Sequence, residues 1–253
     1  MRVTFDIGAT MSTGGKNTDM ASRPIFTPSL SGKLLVNTHY VDFQWFPGMA
    51  KSQSQKSIES LHMAAMKQLA VDKILEISSK SPEELGVNLS AFNLMIKTVK
   101  REREFSLECA YQASKVFERG GPFLDLLDVR SIDAKRDPRL NQHGRLVKFC
   151  FYGVDWELEP RTAFYDWLYI NALHKRPELA AQVLTYRAFS DIAFNPERSI
   201  NCQAYAAALY VSLHERGLLT DEVLKNQSTY LAVIDTGEVS NAHENTNAQE
   251  RLI

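Results

Sequence analysis

Four polar side chains in the stretch Phe105–Arg119 have the spacing of one face of an α-helix. At about 3.6 residues per turn, one stripe carries Glu108, Tyr111, Gln112 and Lys115. The remaining circumference is apolar or small, which is typical of a buried helix. Because a buried charge without a partner is costly, we expect the stripe to face a wet cavity. There a carboxyl group can move protons and a lysine can act as a nucleophile.

The same spacing has a simpler interpretation. Polar residues at positions i, i+3, i+4 and i+7 also occur on any half-exposed helix, whose polar face contacts solvent. The cavity is favoured by the narrowness of the stripe. It is also favoured by the abrupt stop signal Gly120-Gly121-Pro122 after the predicted helix. Both interpretations stay open on the pattern alone.

The remaining elements must hold this helix in place. Helical periodicity and start signals predict six further helices: Ala50–Ile77, Ser81–Gly86, Ser131–Arg136, Arg161–Leu173, Arg176–Tyr186 and Asn201–Arg216. β-forming runs predict five strands: Arg2–Ile7, Lys33–Val36, Tyr40–Trp45, Leu146–Tyr152 and Tyr230–Ile234. The charged run Lys97–Glu104 is predicted as a hairpin or exposed loop. The fold class is therefore α+β, predominantly helical with a few short strands.

Composition and pattern divide the chain into four segments. Residues 1–24 are polar and predicted to be a flexible leader. Residues 25–88 form a strand and helix extension that packs on the core, and residues 89–226 form the core that carries the candidate site. Residues 227–253 are predicted to be a largely disordered tail, because the segment is mostly polar.

Composition also limits the function classes. The chain of 253 residues has a formal net charge of −1, so any nucleic-acid contact has to be local. Its three cysteines, Cys109, Cys150 and Cys202, form no metal-binding or disulfide pattern, which favours a reducing compartment. No run approaches the roughly 18 apolar residues of a membrane helix, and no signal region begins the sequence. We expect a cytoplasmic protein without metal or cofactor.

Two segments resemble the signature of the NADAR family, a Ser-Asn-Phe loop followed by a Glu-His-x-Tyr-Gln-x-x-Lys helix. Leu89–Phe92 is similar to the loop, and Ser106–Lys115 is similar to the helix. Four shorter matches follow in the family's order: Asp133–Arg136 with its Ala-Lys segment, Asp155-Trp156 with its Asp-Trp turn, Arg176–Ala180 with its Asn-Pro-Glu-Leu helix, and Asn201 with the Asn of its Gly-x-Asn helix start. Phe43–Gly48 resembles the branch that accompanies DarT-type toxins as an antitoxin. The resemblance covers roughly half of the chain.

The sequence departs from the signature at two positions. Ala91 replaces the Asn of the loop, although Asn93 lies two residues further on, and Cys109 replaces the His of the helix. A contact that either family residue makes is therefore not expected here in the same form. All four residues of the polar stripe are retained.

The resemblance implies hydrolysis of an N-glycosidic bond. In the antitoxin branch, ADP-ribose is removed from guanine bases of DNA, and the partner is a DarT-type toxin. YbiA-like relatives act instead on ribosylated amino-pyrimidine metabolites, which gives one alternative function. A protein that binds ADP-ribose or the toxin without turnover is a second alternative.

For this chemistry we predict Glu108 as the proton shuttle and Lys115 as the covalent nucleophile that forms a Schiff base. The predicted substrate-binding residues are Ser90, Phe92, Tyr111, Gln112, Asp155, Trp156 and Asn201. Several have other interpretations. Lys115 can hold a diphosphate by charge alone, Asp155 can cap a turn, and Trp156 can be a core residue. Phe92 is either a platform for a base or a core side chain. Lys135 and Arg136 are either phosphate contacts or ordinary surface residues.

Overall fold

The computed structural model describes residues 19–98, 103–197, 199–236 and 241–242. Its α-helices are α1 Lys51–Leu69, α2 Glu84–Asn88, α3 Leu107–Ala113, α4 Ser131–Lys135, α5 Ala163–His174, α6 Pro177–Val183, α7 Gln203–Glu215, α8 Asp221–Lys225 and α9 Gln227–Ile234. Two short 3-10 helices cover Leu124–Asp128 and Pro138–Asn141. Its strands are β1 Met20–Pro28, β2 Val36–Gln44, β3 Ile74–Glu76, β4 Met95–Lys97, β5 Glu104–Ser106, β6 Lys115–Phe117, β7 Leu146–Phe151, β8 Val154–Trp156 and β9 Ala188–Ser190. The predicted strand Arg2–Ile7 lies outside the described residues.

Helices and sheets are mixed, so the α+β class is confirmed. A four-stranded sheet has the order β2-β1-β9-β3, in which β3 and β9 are parallel and the other pairs are antiparallel. Neighbouring residues of β1 face opposite sides, as strand geometry requires. Ile25 packs with α1 on one side, and Phe26 packs with the large core around α7 on the other. The sheet therefore lies between two helical layers.

This sheet joins two segments that were predicted separately. β9 belongs to the predicted core, yet it pairs with β1 and β3 of the predicted extension. β1 begins at Met20, inside the segment predicted as a flexible leader. The edge of this sheet and the helices α3, α5 and α7 surround the candidate site. In α5 and α7 nearly every side is apolar and buried, which fits central helices of a core.

The structure corrects one helix prediction and one strand prediction. The predicted helix Ala50–Ile77 ends at Leu69, where Ala70 adopts a left-handed conformation (φ 52°), and the chain continues into β3. The predicted strand Tyr230–Ile234 is part of α9, in the segment predicted as a disordered tail. The Asn226 side chain starts this helix by accepting a hydrogen bond from the Thr229 N–H at 3.1 Å. The hairpin prediction is confirmed, since β4 and β5 pair through Lys97 and Glu104.

The central helix is also shorter than predicted. α3 ends at Ala113, and the residues after Ser114 form β6, which pairs antiparallel with β7. Lys115 therefore lies on a strand and not on the helix that carries Glu108. Within the described part of the chain, no helix has the length and apolar character needed to cross a bilayer.

Candidate functional site

One cavity, of about 620 Å³, gathers most of the predicted site residues. It lies between α3, the loop before β4, the end of β9 and the start of α7. Seven predicted residues line it: Ser90, Phe92, Glu108, Tyr111, Gln112, Lys115 and Asn201. We call it the first cavity. Its volume falls within the range of about 300–1,000 Å³ that is usual for small-molecule sites.

The start of α3 holds Glu108 at the wall of this cavity. The Ser106 hydroxyl caps the helix by accepting the Cys109 N–H at 3.1 Å, and the Glu108 N–H donates to the Ala91 carbonyl at 2.9 Å. The Glu108 side chain is only 8% exposed, and its Oε1 accepts a hydrogen bond from Gln112 Nε2 at 2.9 Å. Lys135 Nζ lies 4.0 Å from the same oxygen. The carboxyl is thus oriented by two neighbours but still faces the cavity.

Strand β6 places the Lys115 amine over the ring of Tyr111. Lys115 pairs with Phe149 of β7, and its Nζ is 5.0 Å from the centroid of the Tyr111 ring. The amine makes no hydrogen bond or ion pair with the residues that the structure describes. Burial lowers the pKa of Lys115 to about 8, an effect that the nearby Glu108 charge partly offsets and the Lys135 charge reinforces. A lysine with this pKa is partly neutral near pH 8, as a nucleophile requires.

The Gly-Gly-Pro segment supports Lys115 instead of ending a helix. Gly121 has a φ of 91°, a backbone conformation that glycine adopts without strain. A Cβ at this position would lie 2.3 Å from the Lys115 carbonyl oxygen. The close approach therefore requires glycine, and it fixes the backbone from which the Lys115 side chain extends.

Gln112 and Tyr111 present polar groups between the two ionisable residues. Gln112 Oε1 is buried and has no hydrogen-bond partner among the described residues. The Tyr111 hydroxyl accepts a hydrogen bond from Asn201 Nδ2 at 2.6 Å, and burial raises the pKa of Tyr111, so the phenol stays neutral. An unpaired buried carbonyl oxygen is costly.

Phe92 and Lys135 form a second group on the cavity wall. Lys135 Nζ lies 5.3 Å from the centroid of the Phe92 ring, within cation–π distance. The Ser131 hydroxyl, on the same helix as Lys135, donates to the Phe92 carbonyl at 2.9 Å. Lys135 therefore belongs to the site, although the sequence left a surface role open. Ser90 is buried, and its hydroxyl donates to the Val87 carbonyl at 2.7 Å, so it shapes the loop.

Asp191 is a candidate that the sequence reasoning missed. It follows β9, lines the first cavity and is 7% exposed. Its carboxylate accepts hydrogen bonds from Gln203 Nε2 at 3.0 Å and from the Ala193 N–H at 3.0 Å. Burial, and after it the charge of Glu76, raises the pKa of Asp191 to about 7. The only signal in the sequence is an acid directly after a short apolar strand.

A comparison with protein families covers the segment that contains the cavity. The family described as DarT1-associated NADAR antitoxin matches residues 21–244. The chain belongs to this family. A search of curated proteins gives no significant match.

The two departures from the NADAR signature have different structural consequences. Ala91 lines the cavity, and Asn93 does not take the place of the family's Asn because its side chain donates to the Val87 carbonyl at 2.9 Å. Cys109 points away from the cavity, and its thiol donates to the Val129 carbonyl at 3.3 Å. The loss of the loop Asn therefore changes the site, whereas the change from His to Cys lies behind it.

Asp155 and Trp156 do not line the first cavity, contrary to the prediction. Both lie on β8. The Asp155 carboxylate forms an ion pair with Lys148 at 2.6 Å on the surface of the three-stranded sheet. Trp156 is 2% exposed and packs against Trp167 and Phe164 with ring centroids 5.0 and 5.5 Å away. The strand alternates between the surface and the core, so neither side chain reaches the site.

The first cavity can therefore carry out acid–base and nucleophilic chemistry. It combines a buried carboxyl, an amine with a lowered pKa, a second buried carboxyl and an unpaired amide oxygen. Among the described residues, no group of three or more His, Cys, Asp or Glu side chains is arranged to hold a metal ion.

Proposed function

We propose that the protein is an ADP-ribosyl glycohydrolase that hydrolyses the N-glycosidic bond between ADP-ribose and guanine bases in DNA. In this role it is the antitoxin of a DarT-type DNA ADP-ribosyltransferase and acts in the cytoplasm. The observation that carries the proposal is the pairing of Glu108 with Lys115 in one cavity. The lowered pKa of Lys115 supports a nucleophilic role. The family membership supports the antitoxin role.

The first step needs a proton donor. Glu108 gives a proton to the ribose ring oxygen, the ring opens, and an imine forms between C1 of the sugar and the guanine nitrogen. The Lys115 amine then adds to C1. The attacking amine passes a proton to the guanine nitrogen, which leaves as its bond to C1 breaks, so that C1 is now bound to Lys115 as a Schiff base.

Water completes the reaction. It adds to C1, the bond from C1 to the Lys115 nitrogen breaks, and ADP-ribose and the free amine are released. The added water gives one proton to the departing amine and its second to Glu108, which restores the acid, and the open-chain sugar then closes to ribose. Asp191 is suited to relay the proton to the amine, because it is a second buried carboxyl on the wall of the same cavity and burial raises its pKa.

The other residues are suited to hold the ADP-ribosyl group. Gln112 lines the cavity beside Glu108, and the Asn201–Tyr111 pair offers a polar contact for a ribose hydroxyl. Lys135 carries a charge that can attract the diphosphate, beside the flat face of Phe92. This arrangement supports recognition of a nucleoside diphosphate sugar.

The direct test is release of ADP-ribose from an oligonucleotide that carries ADP-ribosylated guanine. We expect release by the wild type and none above background by Lys115→Ala or Glu108→Gln. Lys148→Ala is the matched control, since Lys148 lies on the neighbouring strand outside the first cavity. Release by both active-site variants at the wild-type rate would overturn the mechanism.

The alternatives give different results in the same assay. An enzyme of ribosylated amino-pyrimidine metabolites would cleave those compounds and leave the oligonucleotide unchanged. A protein that only sequesters the toxin would neutralise it equally well without Glu108 and Lys115.

A further inference from the structure

A second cavity, of about 500 Å³, adjoins the first. The two share Tyr111, Ile200 and Asn201, so the Tyr111–Asn201 hydrogen bond separates them. The first cavity contains the groups proposed for chemistry. The second lies on the other side of this hydrogen bond, beside β7 and the loop before α5. A ligand that occupies both cavities has to pass this hydrogen bond.

The walls of the second cavity are mainly apolar. They consist of Leu146, Val147, Phe149, Leu158 and Ile200, together with the Tyr111 ring. The Tyr111 and Phe149 rings are 5.3 Å apart between centroids, which gives the cavity an aromatic end. Apolar walls of this kind suit a planar, uncharged ring such as a nucleobase.

Two arginines lie on the same cavity. Arg145 is 81% exposed and uses its Nε to bind Glu118 at 2.9 Å, whereas its two terminal nitrogens make no hydrogen bond with a described residue. Arg161 is 15% exposed and lies 3.4 Å from Glu159, which also lines the cavity. Guanidinium groups bind phosphate through paired hydrogen bonds. The free terminal groups of Arg145 are available for such a contact.

We propose that the second cavity binds a nucleotide of the DNA strand that carries the modified guanine, with its base on the apolar walls and its phosphate at Arg145. This inference rests on the proposed function, because the first cavity then takes the ADP-ribosyl group and the strand must leave on the other side. It also explains how a protein with a formal net charge of −1 holds DNA. Attraction to DNA then comes from a local arginine contact and not from a net positive charge of the whole protein.

The test uses two matched pairs of variants. Val147→Asp puts a negative charge into the second cavity. Val154→Asp puts the same charge on the neighbouring strand outside it, at a residue of similar exposure (47% against 42%). Arg145→Ala removes the phosphate contact. Arg130→Ala removes an arginine of equal exposure (81%) that is also paired to an acid. Thermal unfolding of all four variants checks that the fold is intact.

The first readout is binding of an unmodified, fluorescent single-stranded oligonucleotide. We expect Val147→Asp and Arg145→Ala to weaken binding at least about fivefold, the lower end of what one stacked base contributes. Val154→Asp and Arg130→Ala should leave it unchanged. Equal binding by all four variants and the wild type would overturn the proposal, whether or not the protein is a hydrolase.

The second readout compares ADP-ribosylated oligonucleotide with ADP-ribosylated guanosine. If the second cavity holds the strand, Val147→Asp lowers kcat/KM for the oligonucleotide and leaves the small substrate unaffected. Equal losses on both substrates would overturn the proposal, since the cavity would then hold the adenosine of ADP-ribose. Failure of the proposed function looks different, because the wild type would release ADP-ribose from neither substrate. In that case, the binding of the unmodified oligonucleotide is the measurement that tests the inference about the second cavity.

Discussion

The two adjoining cavities differ in the solvent exposure of the main ionisable groups proposed to act in them. In the first, Glu108 and Asp191 are less than a tenth exposed, and burial lowers the pKa of Lys115 to about 8. In the second, the walls are apolar and the guanidinium of Arg145 stands in solvent. Burial changes the protonation equilibria that chemistry uses, whereas an exposed charge keeps its ordinary state and serves for attraction. The comparison indicates that the first cavity is suited to the reaction and the second to binding the substrate.

The same small sheet serves both cavities. β6 carries Lys115 into the first, and its partner strand β7 contributes Leu146, Val147 and Phe149 to the second. In the proposed reaction, the guanine–ribose bond that is cleaved would therefore lie close to this strand pair. The predictions below test this difference between the cavities, first by removing buried groups and then by removing exposed ones.

The largest effect is expected for Glu108→Gln. The change keeps the shape of the side chain but removes its acid, so we expect kcat to fall by about 10²- to 10⁴-fold, the usual worth of a general acid. Single-turnover release of ADP-ribose measures it. Glu104→Gln is the control, because Glu104 is exposed and paired to Lys97 at 3.6 Å. An active Glu108→Gln protein would remove Glu108 from the chemistry.

The next effect concerns pH. Lys115 must be neutral to attack, and its pKa is lowered to about 8, so the reactive fraction rises with pH and levels off above about 8. The rate at which an acylating reagent labels the Lys115 amine, read by peptide mass spectrometry, should therefore fall by roughly tenfold for each pH unit below that value. A labelling rate that keeps rising tenfold from about pH 9 to pH 10, as for an ordinary lysine, would contradict the lowered pKa on which the nucleophilic role depends.

A smaller effect is expected for Lys135→Ala. Lys135 is exposed and lies over Phe92, so its proposed role is attraction of the diphosphate. We expect KM to rise by about tenfold, the effect of losing roughly 1.4 kcal/mol of binding, with a smaller change in kcat because Lys135 also lies 4.0 Å from Glu108. Arg136→Ala is the matched control, since Arg136 follows directly and does not line the cavity. A large fall in kcat would instead place Lys135 in the chemistry.

The smallest effect is expected for Asp155→Ala. The residue is part of a surface ion pair with Lys148, and such pairs contribute about 0–1 kcal/mol to stability. Turnover should stay within about twofold of the wild type, the range in which lost surface contacts usually fall. A strong loss of activity with intact folding would return Asp155 to the substrate site, as its position in the family pattern first indicated.

The sequence placed the four stripe residues at one cavity, as the structure does, but for a partly wrong reason. A helical wheel grouped Lys115 with Glu108, although α3 ends two residues before Lys115. The grouping survives because β6 begins directly after the helix, so the Lys115 amine still lies over Tyr111. Val116 and Phe117 are β-formers that pair with β7, and this tertiary pairing overrides the local helical pattern.

Other parts of the structure could not be predicted from local pattern. Ala70 ends α1 in a left-handed conformation that glycine usually adopts, so the sequence carried no stop signal there. Asp191 reaches the first cavity only because β9 pairs with strands more than a hundred residues earlier in the chain. The placement of Asp155 and Trp156 depends on the direction of β8 relative to the core, which sequence spacing does not determine.

The most direct test of the central claim is to trap the intermediate. Wild-type protein is mixed with ADP-ribosylated oligonucleotide, borohydride is added during turnover, and the modified residue is identified by peptide mass spectrometry. The account predicts a reduced adduct of ADP-ribose on Lys115, which is lost in Lys115→Arg and retained in Lys135→Ala. Release of ADP-ribose without any adduct, or with the adduct on another residue, would contradict Lys115 as the nucleophile.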